Sequence, residues 1–375
     1  MYLSCNDSKE STIGLFDNAV YIPLPKTILS PKDNPTTPEK VALGKLLFYD
    51  PILSGNKDVA CATCHHPDFG YAELKDLSIG VNGKGLSMNR KFNSPNNIPI
   101  VKRNAHTILN TAFNGINVNG EYSPEKAAMF WDSREESLEK QALAPIKTLE
   151  EMMGHSFSED IILDTIVNRL RNIPEYVLKF QDVFKTKPAI SSINLGKAIA
   201  AFERTLVTNN SRFDQYIAGD SSALSYSEKK GFNLFKKANC HSCHSGPMFS
   251  DFKMHVLTVP ENEKLNFPDD GFEKTYAFRT PTLRNLRYTA PYMHNGKFEN
   301  LLEVLEFYED IASGVSKNSN IENEKIDSLI KKIDIKVIDM QPIISFFNSL
   351  NDDTFDKVIP ENVPSKLPVG GNIFN

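Results

Sequence analysis

Apolar residues recur at helical spacing in separate blocks, with long polar stretches between them. Thr37-Pro38-Glu39 opens the first block as a helix start, with Thr as N-cap, Pro at the first helical position and an acid in the first turn. The helix it predicts runs to about Phe48. Ile162, Ile166, Leu170 and Ile173 share one helical face, as do Ile199, Phe202 and Leu206. Ser225-x-x-Glu228 forms a capping box that opens a helix carrying Phe232 and Phe235. Helices over 300–308 and 342–350 complete the set, and period-two alternation is scarce. The pattern predicts a mainly α chain. Residues 68–123, rich in Gly, Asn and Pro, predict long loops. Residues 1–35, punctuated by Pro23, Pro25, Pro31 and Pro35, predict an N-terminal tether.

Length and charge narrow the class. A chain of 375 residues has room for two domains with real cores. Its 47 acidic against 42 basic side chains give a net charge of −5, which argues against a nucleic-acid partner. No apolar run approaches the roughly 18 residues of a membrane-spanning helix.

The chemistry lies in the scarce letters. Cys61-Ala62-Thr63-Cys64-His65 and Cys240-His241-Ser242-Cys243-His244 are two copies of C-x-x-C-H, the pattern of covalent c-type heme attachment. The two thiols would add to the porphyrin vinyl groups, and the following His would bind iron. A four-cysteine zinc site is the weaker alternative, because zinc modules keep their cysteine pairs close in sequence. A thioredoxin-like redox pair needs a βαβ context, and none is legible. Before each motif stands a helix-like segment with Gly and Phe, Leu43-Gly44-Lys45-Leu46-Leu47-Phe48 and Gly231-Phe232-Asn233-Leu234-Phe235. This weak repeat predicts two cytochrome-c-like heme domains with long loops, over 36–218 and 219–350, followed by a tail over 351–375. The boundary is set at the polar turn of Gly219-Asp220-Ser221-Ser222. Cys5 follows Ser4 and precedes a polar stretch, the pattern of a lipid-anchored N-terminus, although no apolar segment precedes it. An ordinary free thiol in a terminal segment is the other reading.

Taken together, several segments resemble the bacterial diheme cytochrome c peroxidases and their relative MauG. These are Leu53-Ser54-Gly55, Phe130-Trp131-Asp132-Ser133-Arg134 and Gln141-Ala142-Leu143-Ala144-Pro145-Ile146, then Ala201-Phe202-Glu203-Arg204-Thr205-Leu206 and Cys243-His244-Ser245-Gly246-Pro247. Arg279-Thr280-Pro281-Thr282-Leu283-Arg284-Asn285 and Ala290-Pro291-Tyr292-Met293-His294-Asn295-Gly296 complete the resemblance, which spans roughly 36–350. It implies a peroxide site at the N-terminal heme and an electron-relaying C-terminal heme. His65 and His244 match the proximal ligands, and Trp131 the tryptophan between the hemes. Pro145 and Glu151 match the distal proline and glutamate, and Gln141 a glutamine near that site. Asn104, Thr289 and Pro291 match residues that bind one calcium ion between the domains. By composition alone Glu151 is one acid among 47 and Trp131 a core residue. A carboxylate over an open iron is nevertheless what O–O cleavage needs, as general base and then acid.

Two departures from the family pattern choose a subtype. The peroxidases often carry an iron-capping His 16 positions after the first heme ligand, and Val81 stands there. The resemblance therefore implies an N-terminal heme open without reductive activation, as in MauG. Neither His66 nor His106 has a spacing that argues for a substitute ligand, and His106 reads as structural. Fourteen positions after His294, where a Met ligand is usual, stands Tyr308, again as in MauG. Tyr308 shares a helical face with Leu301, Val304 and Leu305, so it is expected to point inward. The alternative is a packed Tyr308 with Met248, Met254 or Met293 as ligand. Where MauG uses a second Trp to oxidise its protein substrate, this chain has Ala238.

The expectation is an extracytoplasmic, periplasmic diheme peroxidase of the MauG-like subgroup. Hydrogen peroxide would be its substrate, and a cytochrome c or cupredoxin its electron donor. A homodimer is one assembly the resemblance implies. The rival readings are a MauG-type enzyme oxidising side chains of a partner protein, and a non-catalytic diheme electron carrier.

Overall fold

The computed structural model describes residues 21–373, so Cys5 and the lipid anchor expected of it lie outside the described residues. Helix α1 (Pro38–Tyr49) starts as its sequence dictates: Thr37 Oγ1 accepts the Lys40 N–H at 3.3 Å, with Pro38 at the first helical position. The single-turn α2 (Cys61–Cys64) follows. From there to residue 137 the chain holds only 3-10 turns, isolated bridges and one short antiparallel ladder, β1 (Gly83–Lys84) against β2 (Lys91–Phe92). Two one-turn helices, α3 (Leu138–Gln141) and α4 (Ala144–Lys147), lead through a π turn (Leu149–Met153) into α5 (Glu159–Arg171), α6 (Pro174–Val183) and α7 (Ser192–Glu203). The second half contains α8 (Arg212–Ile217), α9 (Tyr226–Lys237), the ladder β3 (Met254–His255) with β4 (Phe278–Arg279), α10 (Leu301–Ala312) and α11 (Val337–Asn348). The chain is mainly helical. No helix among the described residues is long and apolar enough to cross a membrane.

Two equivalent helix crossings carry the repeat seen in the sequence. In the first, a Cβ on Gly44 of α1 would stand 1.9 Å from the Ala198 carbonyl oxygen of α7, so only glycine allows the two backbones to meet. One turn on, Phe48 meets Phe202 edge-on at 5.2 Å between ring centroids. In the second, a Cβ on Gly231 of α9 would stand 1.9 Å from the Pro342 carbonyl oxygen of α11, and Phe235 meets Phe346 at 5.3 Å. The same Gly-x-x-x-Phe spacing thus builds the same joint twice, each just ahead of a C-x-x-C-H motif.

Each crossing has its own core. The first gathers Leu43, Leu47 and Phe48 with Ile162, Ile166 and Leu170 of α5 and Ile199 and Phe202 of α7. The second is an aromatic cluster of Phe213, Phe232, Phe235, Phe249, Phe346 and Phe347. The cores divide between Leu206 and Phe213, ahead of the polar turn at 219–222, because Phe213 of α8 inserts into the second cluster. Both ends of the chain differ from expectation. Within 21–35, read as tether, Tyr21 is buried against Phe249 and donates to the His244 carbonyl oxygen at 3.1 Å, and Leu24 is buried as well. The tail returns to the first core through Phe355 and Val363, with Gly370 N–H donating to the Tyr49 carbonyl oxygen at 2.8 Å. Prolines and polar residues hid these apolar anchors from a composition-based reading.

Candidate active site

The first C-x-x-C-H motif is fixed by its own middle residues. Thr63, fully buried, accepts the Ala60 N–H at 2.9 Å and donates to the Gly370 carbonyl oxygen of the tail at 2.7 Å. Beyond α2, His65 Nδ1 lies 3.0 Å from the Tyr71 carbonyl oxygen. An imidazole nitrogen facing a carbonyl carries the proton, which leaves Nε2 as the free ligand atom. The second motif repeats the device, with His244 Nδ1 2.9 Å from the Phe249 carbonyl oxygen. Burial lowers the pKa of both imidazoles, which keeps them neutral, the form a metal needs. None of the four motif cysteines is in a disulfide. Burial raises the Cys61 and Cys64 thiols and pushes Cys240 up to about 12.

Each motif opens on a large cavity. Cys61, Cys64 and His65 line one of about 1630 Å³, and Cys240, Cys243 and His244 line another of about 1890 Å³. Paired thiols and a carbonyl-oriented imidazole at a roomy cavity fit a heme in each. The two cysteine pairs line different cavities and so cannot share a zinc ion. Among the described residues one group has metal-ligating atoms mutually within 4.8 Å: Cys243, Asp251 and His255. His255 there is an imidazolium held between Asp251, at 3.1 Å, and Asp327, at 2.6 Å. Asp251, then the Cys243 thiol, push its pKa up to about 11.

Gln141, Pro145 and Glu151 all line the first cavity, although they sit on three separate short elements, α3, α4 and the π turn. Glu151 is pushed up to about 7 by burial, with Arg134 pulling it down and Glu150 adding to the rise. Val81 is fully buried in the first core and does not line the cavity. Its N–H instead donates to the Glu151 carbonyl oxygen at 3.1 Å. His66 lines neither cavity.

Asn104, His106, Thr111, Trp131 and Asp269 line both cavities and form their common wall. Trp131 Nε1 donates to the Asn104 carbonyl oxygen at 3.0 Å. Arg103 braces the wall by bridging Asp132 at 2.6 Å and Asp269 at 2.5 Å. His106, read from sequence as structural, stands in this wall with its ring 5.7 Å from that of Trp131. Burial pushes it down to about 3, so it is neutral. Sequence reasoning also passed over Glu203, which lines the first cavity. Its only signal was a place inside a family motif.

In the second cavity Tyr308 projects inward beside Leu301, Val304 and Leu305, as their shared helical face predicts. Burial raises its phenol, and the neighbouring Cys243 and Cys240 add to the shift. Met248 and Met293 line the same cavity and Met254 does not, which removes one of three alternative ligands. Asn104, Thr289 and Pro291 also line this cavity. Asn104 Nδ2 donates to the Lys75 carbonyl oxygen at 2.7 Å, leaving the side-chain oxygen as a donor atom for a cation.

Residues 38–222 match the family model described as di-haem cytochrome c peroxidase. The methylamine utilization protein MauG of Methylorubrum extorquens is 32% identical over 342 residues, covering 90% of this chain and 85% of that protein. Cytochrome c551 peroxidase of Pseudomonas aeruginosa is 33% identical over 300 residues, 77% of each chain. Among solved structures, a MauG-like protein associated with microbial copper homeostasis has a TM-score of 0.70 at 27% identity, covering 88% of this chain and 95% of that one. The diheme peroxidase BthA of Burkholderia thailandensis shares the fold, with a TM-score of 0.65 at 20% identity over 89% of this chain and 92% of that one. With 32% identity to MauG over nine-tenths of its length, and with two C-x-x-C-H cavities sharing one wall, the chain belongs to the di-haem cytochrome c peroxidase family that includes MauG.

Proposed function

We propose that this protein is an extracytoplasmic, MauG-like diheme peroxidase that reduces hydrogen peroxide in its first cavity, with electrons entering through its second. Cys61 and Cys64 would hold one porphyrin as thioethers and Cys240 and Cys243 the other, with the free Nε2 atoms of His65 and His244 as proximal ligands. When bound, heme supplies an iron centre that takes up peroxide and electrons. The protein supplies the proton chemistry and the positioning.

The observation that carries this reading is the place of Glu151, a half-buried acid on the wall of the Cys61-Cys64-His65 cavity with its pKa raised to about 7. At that value it can take the proton from one peroxide oxygen and return it to the other as water leaves. Gln141 and Pro145 shape the same wall. Trp131, in the wall common to both cavities, is the group placed to couple them. Tyr308, which lines the second cavity, would be a further protein ligand holding the C-terminal heme. A calcium ion would sit at Asn104, Thr289 and Pro291 and pin the two halves at the shared wall.

The donor side is also readable. Ile330, Ile333 and Ile335 line the second cavity, while three lysines (Lys331, Lys332, Lys336), one acid (Asp334) and the apolar Val337 and Ile338 between and beyond them are exposed. A basic rim around two apolar side chains suits an acidic face of a small redox protein, a cytochrome c or cupredoxin. The similarity to MauG raises the second reading, oxidation of side chains on a partner protein. Ala238, buried where MauG carries its second tryptophan, offers no oxidisable ring on that route and favours peroxide turnover.

The test is steady-state oxidation of a reduced cytochrome c by peroxide, with the resting spin state as its companion. Turnover that disappears in Glu151→Gln while both hemes remain attached supports the proposal, as does one high-spin heme at rest. Negligible turnover by the unaltered protein favours the partner-oxidising role. Two low-spin hemes with no response to peroxide indicate a plain electron carrier.

A further inference from the structure

Glu203 is the last residue of α7 and lines the first cavity near Cys61. It is 4% exposed, and its Oε2 has no hydrogen-bond partner among the described residues. The adjacent Arg204, 1% exposed, turns its guanidinium away to Glu139, Nη2 donating to Oε1 at 2.6 Å. Asn34 Nδ2 donates to the same oxygen at 2.8 Å. Glu139 Oε2 and Arg204 Nε are then also left buried without partners. Orphaned buried polar atoms are rare in folded proteins, and here three lie on side chains that adjoin one another, Glu203, Arg204 and Glu139. Of these, Glu139 reaches solvent, with 15% of its side chain exposed.

The charges that face Glu203 are few. Arg204 on its own helix favours the carboxylate, Glu139 on α3 disfavours it, and the Cys61 thiol lies on the cavity side. Burial outweighs Arg204 and pushes the acid up to about 8. Glu73 is a second buried acid with both oxygens unpartnered, but it lines neither cavity.

Peroxide reduction, H2O2 + 2 e− + 2 H+ → 2 H2O, consumes two protons, with its electrons supplied by the small redox protein. Glu151 moves a proton from one oxygen to the other and so adds none to the balance. We propose that Glu203 is the proton-holding group of the first cavity, reloaded from solvent by way of the adjoining Glu139. The proposal rests on the peroxidase reading only for what consumes the protons. Glu203 acts at a distance from the reacting oxygens, as a proton-relay residue.

Infrared difference spectra of the holoprotein test it. Of the protonated carboxyl bands present near neutral pH, one should be lost in Glu203→Gln while those of Glu73 and Glu151 remain, with heme attachment unchanged. In D2O the band should shift as its proton exchanges, and Glu139→Gln should slow that exchange by about tenfold. Peroxide turnover should fall by about a hundredfold in Glu203→Gln and recover in Glu203→Asp, which keeps the acid. A carboxyl spectrum that loses no band in Glu203→Gln overturns the assignment, and exchange at the unaltered rate in Glu139→Gln overturns the route. If the unaltered protein turns over no peroxide yet shows the band and the slowed exchange, the peroxidase reading fails and the proton-holding site stands.

Discussion

The backbone N–H of Val81 donates to the carbonyl oxygen of Glu151 at 3.1 Å. The position where the family resemblance looks for an iron-capping His is therefore a strut beneath Glu151. Its side chain is spent in the first core, so the segment fixes Glu151 instead of competing for the iron.

Gly80 tightens that strut. A Cβ there would stand 2.1 Å from the Glu151 carbonyl oxygen and 2.3 Å from that of Glu150. Gly80→Ala must displace the π turn, with an expected stability loss of about 1–3 kcal/mol. Reaction with peroxide, followed by stopped-flow absorbance, should slow by roughly a hundredfold, because the acid no longer faces its substrate. Unchanged kinetics would show that the turn tolerates the shift.

Stability should fall as pH rises from about 6.5 to about 8. Glu73 and Glu151 keep their protons to about 7 in the folded protein and Glu203 to about 8, against an ordinary value of 4.5. Each contributes stability below 4.5 that is lost as pH climbs through its raised value. His255, held up to about 11, has the same sign above 6.5. The buried histidines with lowered values, His106 and His294 among them, act only below 6.5. Thermal unfolding of the holoprotein at several pH values measures the slope. A flat or rising profile in this window would contradict the protonated state of the buried acids.

Tyr308 is the proposed ligand of the second heme. A phenolate ligand favours the oxidised metal and a thioether the reduced one, so Tyr308→Met should raise the potential of one heme. The shift should be on the order of 0.1 V, within the roughly 0.8 V range axial ligands command. Spectroelectrochemical titration reads it directly. If Tyr308→Phe leaves both heme spectra unchanged, the ligand is Met248 or Met293, which line the same cavity.

The two glycine joints make a paired stability test. Gly44→Ala and Gly231→Ala each place a methyl 1.9 Å from a carbonyl oxygen of the crossing helix. Each should cost at least about 1–3 kcal/mol, measured by chemical denaturation. The spectra should separate them, with Gly44→Ala perturbing the His65 heme and Gly231→Ala the His244 heme. Equal perturbation of both hemes by either variant would show that the two halves do not unfold as distinct units.

Helix starts, the paired heme motifs and the inward face of α10 were legible in the chain because each is a local pattern. A cap needs a neighbour three residues on, a thiol pair two between, and a helical face a period of 3.6. The family resemblance added Glu151 and Trp131, which spacing alone leaves among ordinary acids and core aromatics.

What only the tertiary structure decided depends on contacts between residues far apart in sequence. Tyr21 reaches the carbonyl oxygen of His244, and Gly370 in the tail accepts from Thr63 inside the first motif, so a presumed tether and tail became parts of the site. His106 joined Trp131 in the shared wall, and Glu203 surfaced inside the first cavity, because burial and a neighbour's hydrogen bonds, not residue type, determine which polar groups are left unpaired. By itself the sequence determined that there are two heme-binding motifs on a helical scaffold. Folding decided which acids stand dry beside them, since desolvation is a property of the packed neighbourhood and no local pattern encodes it.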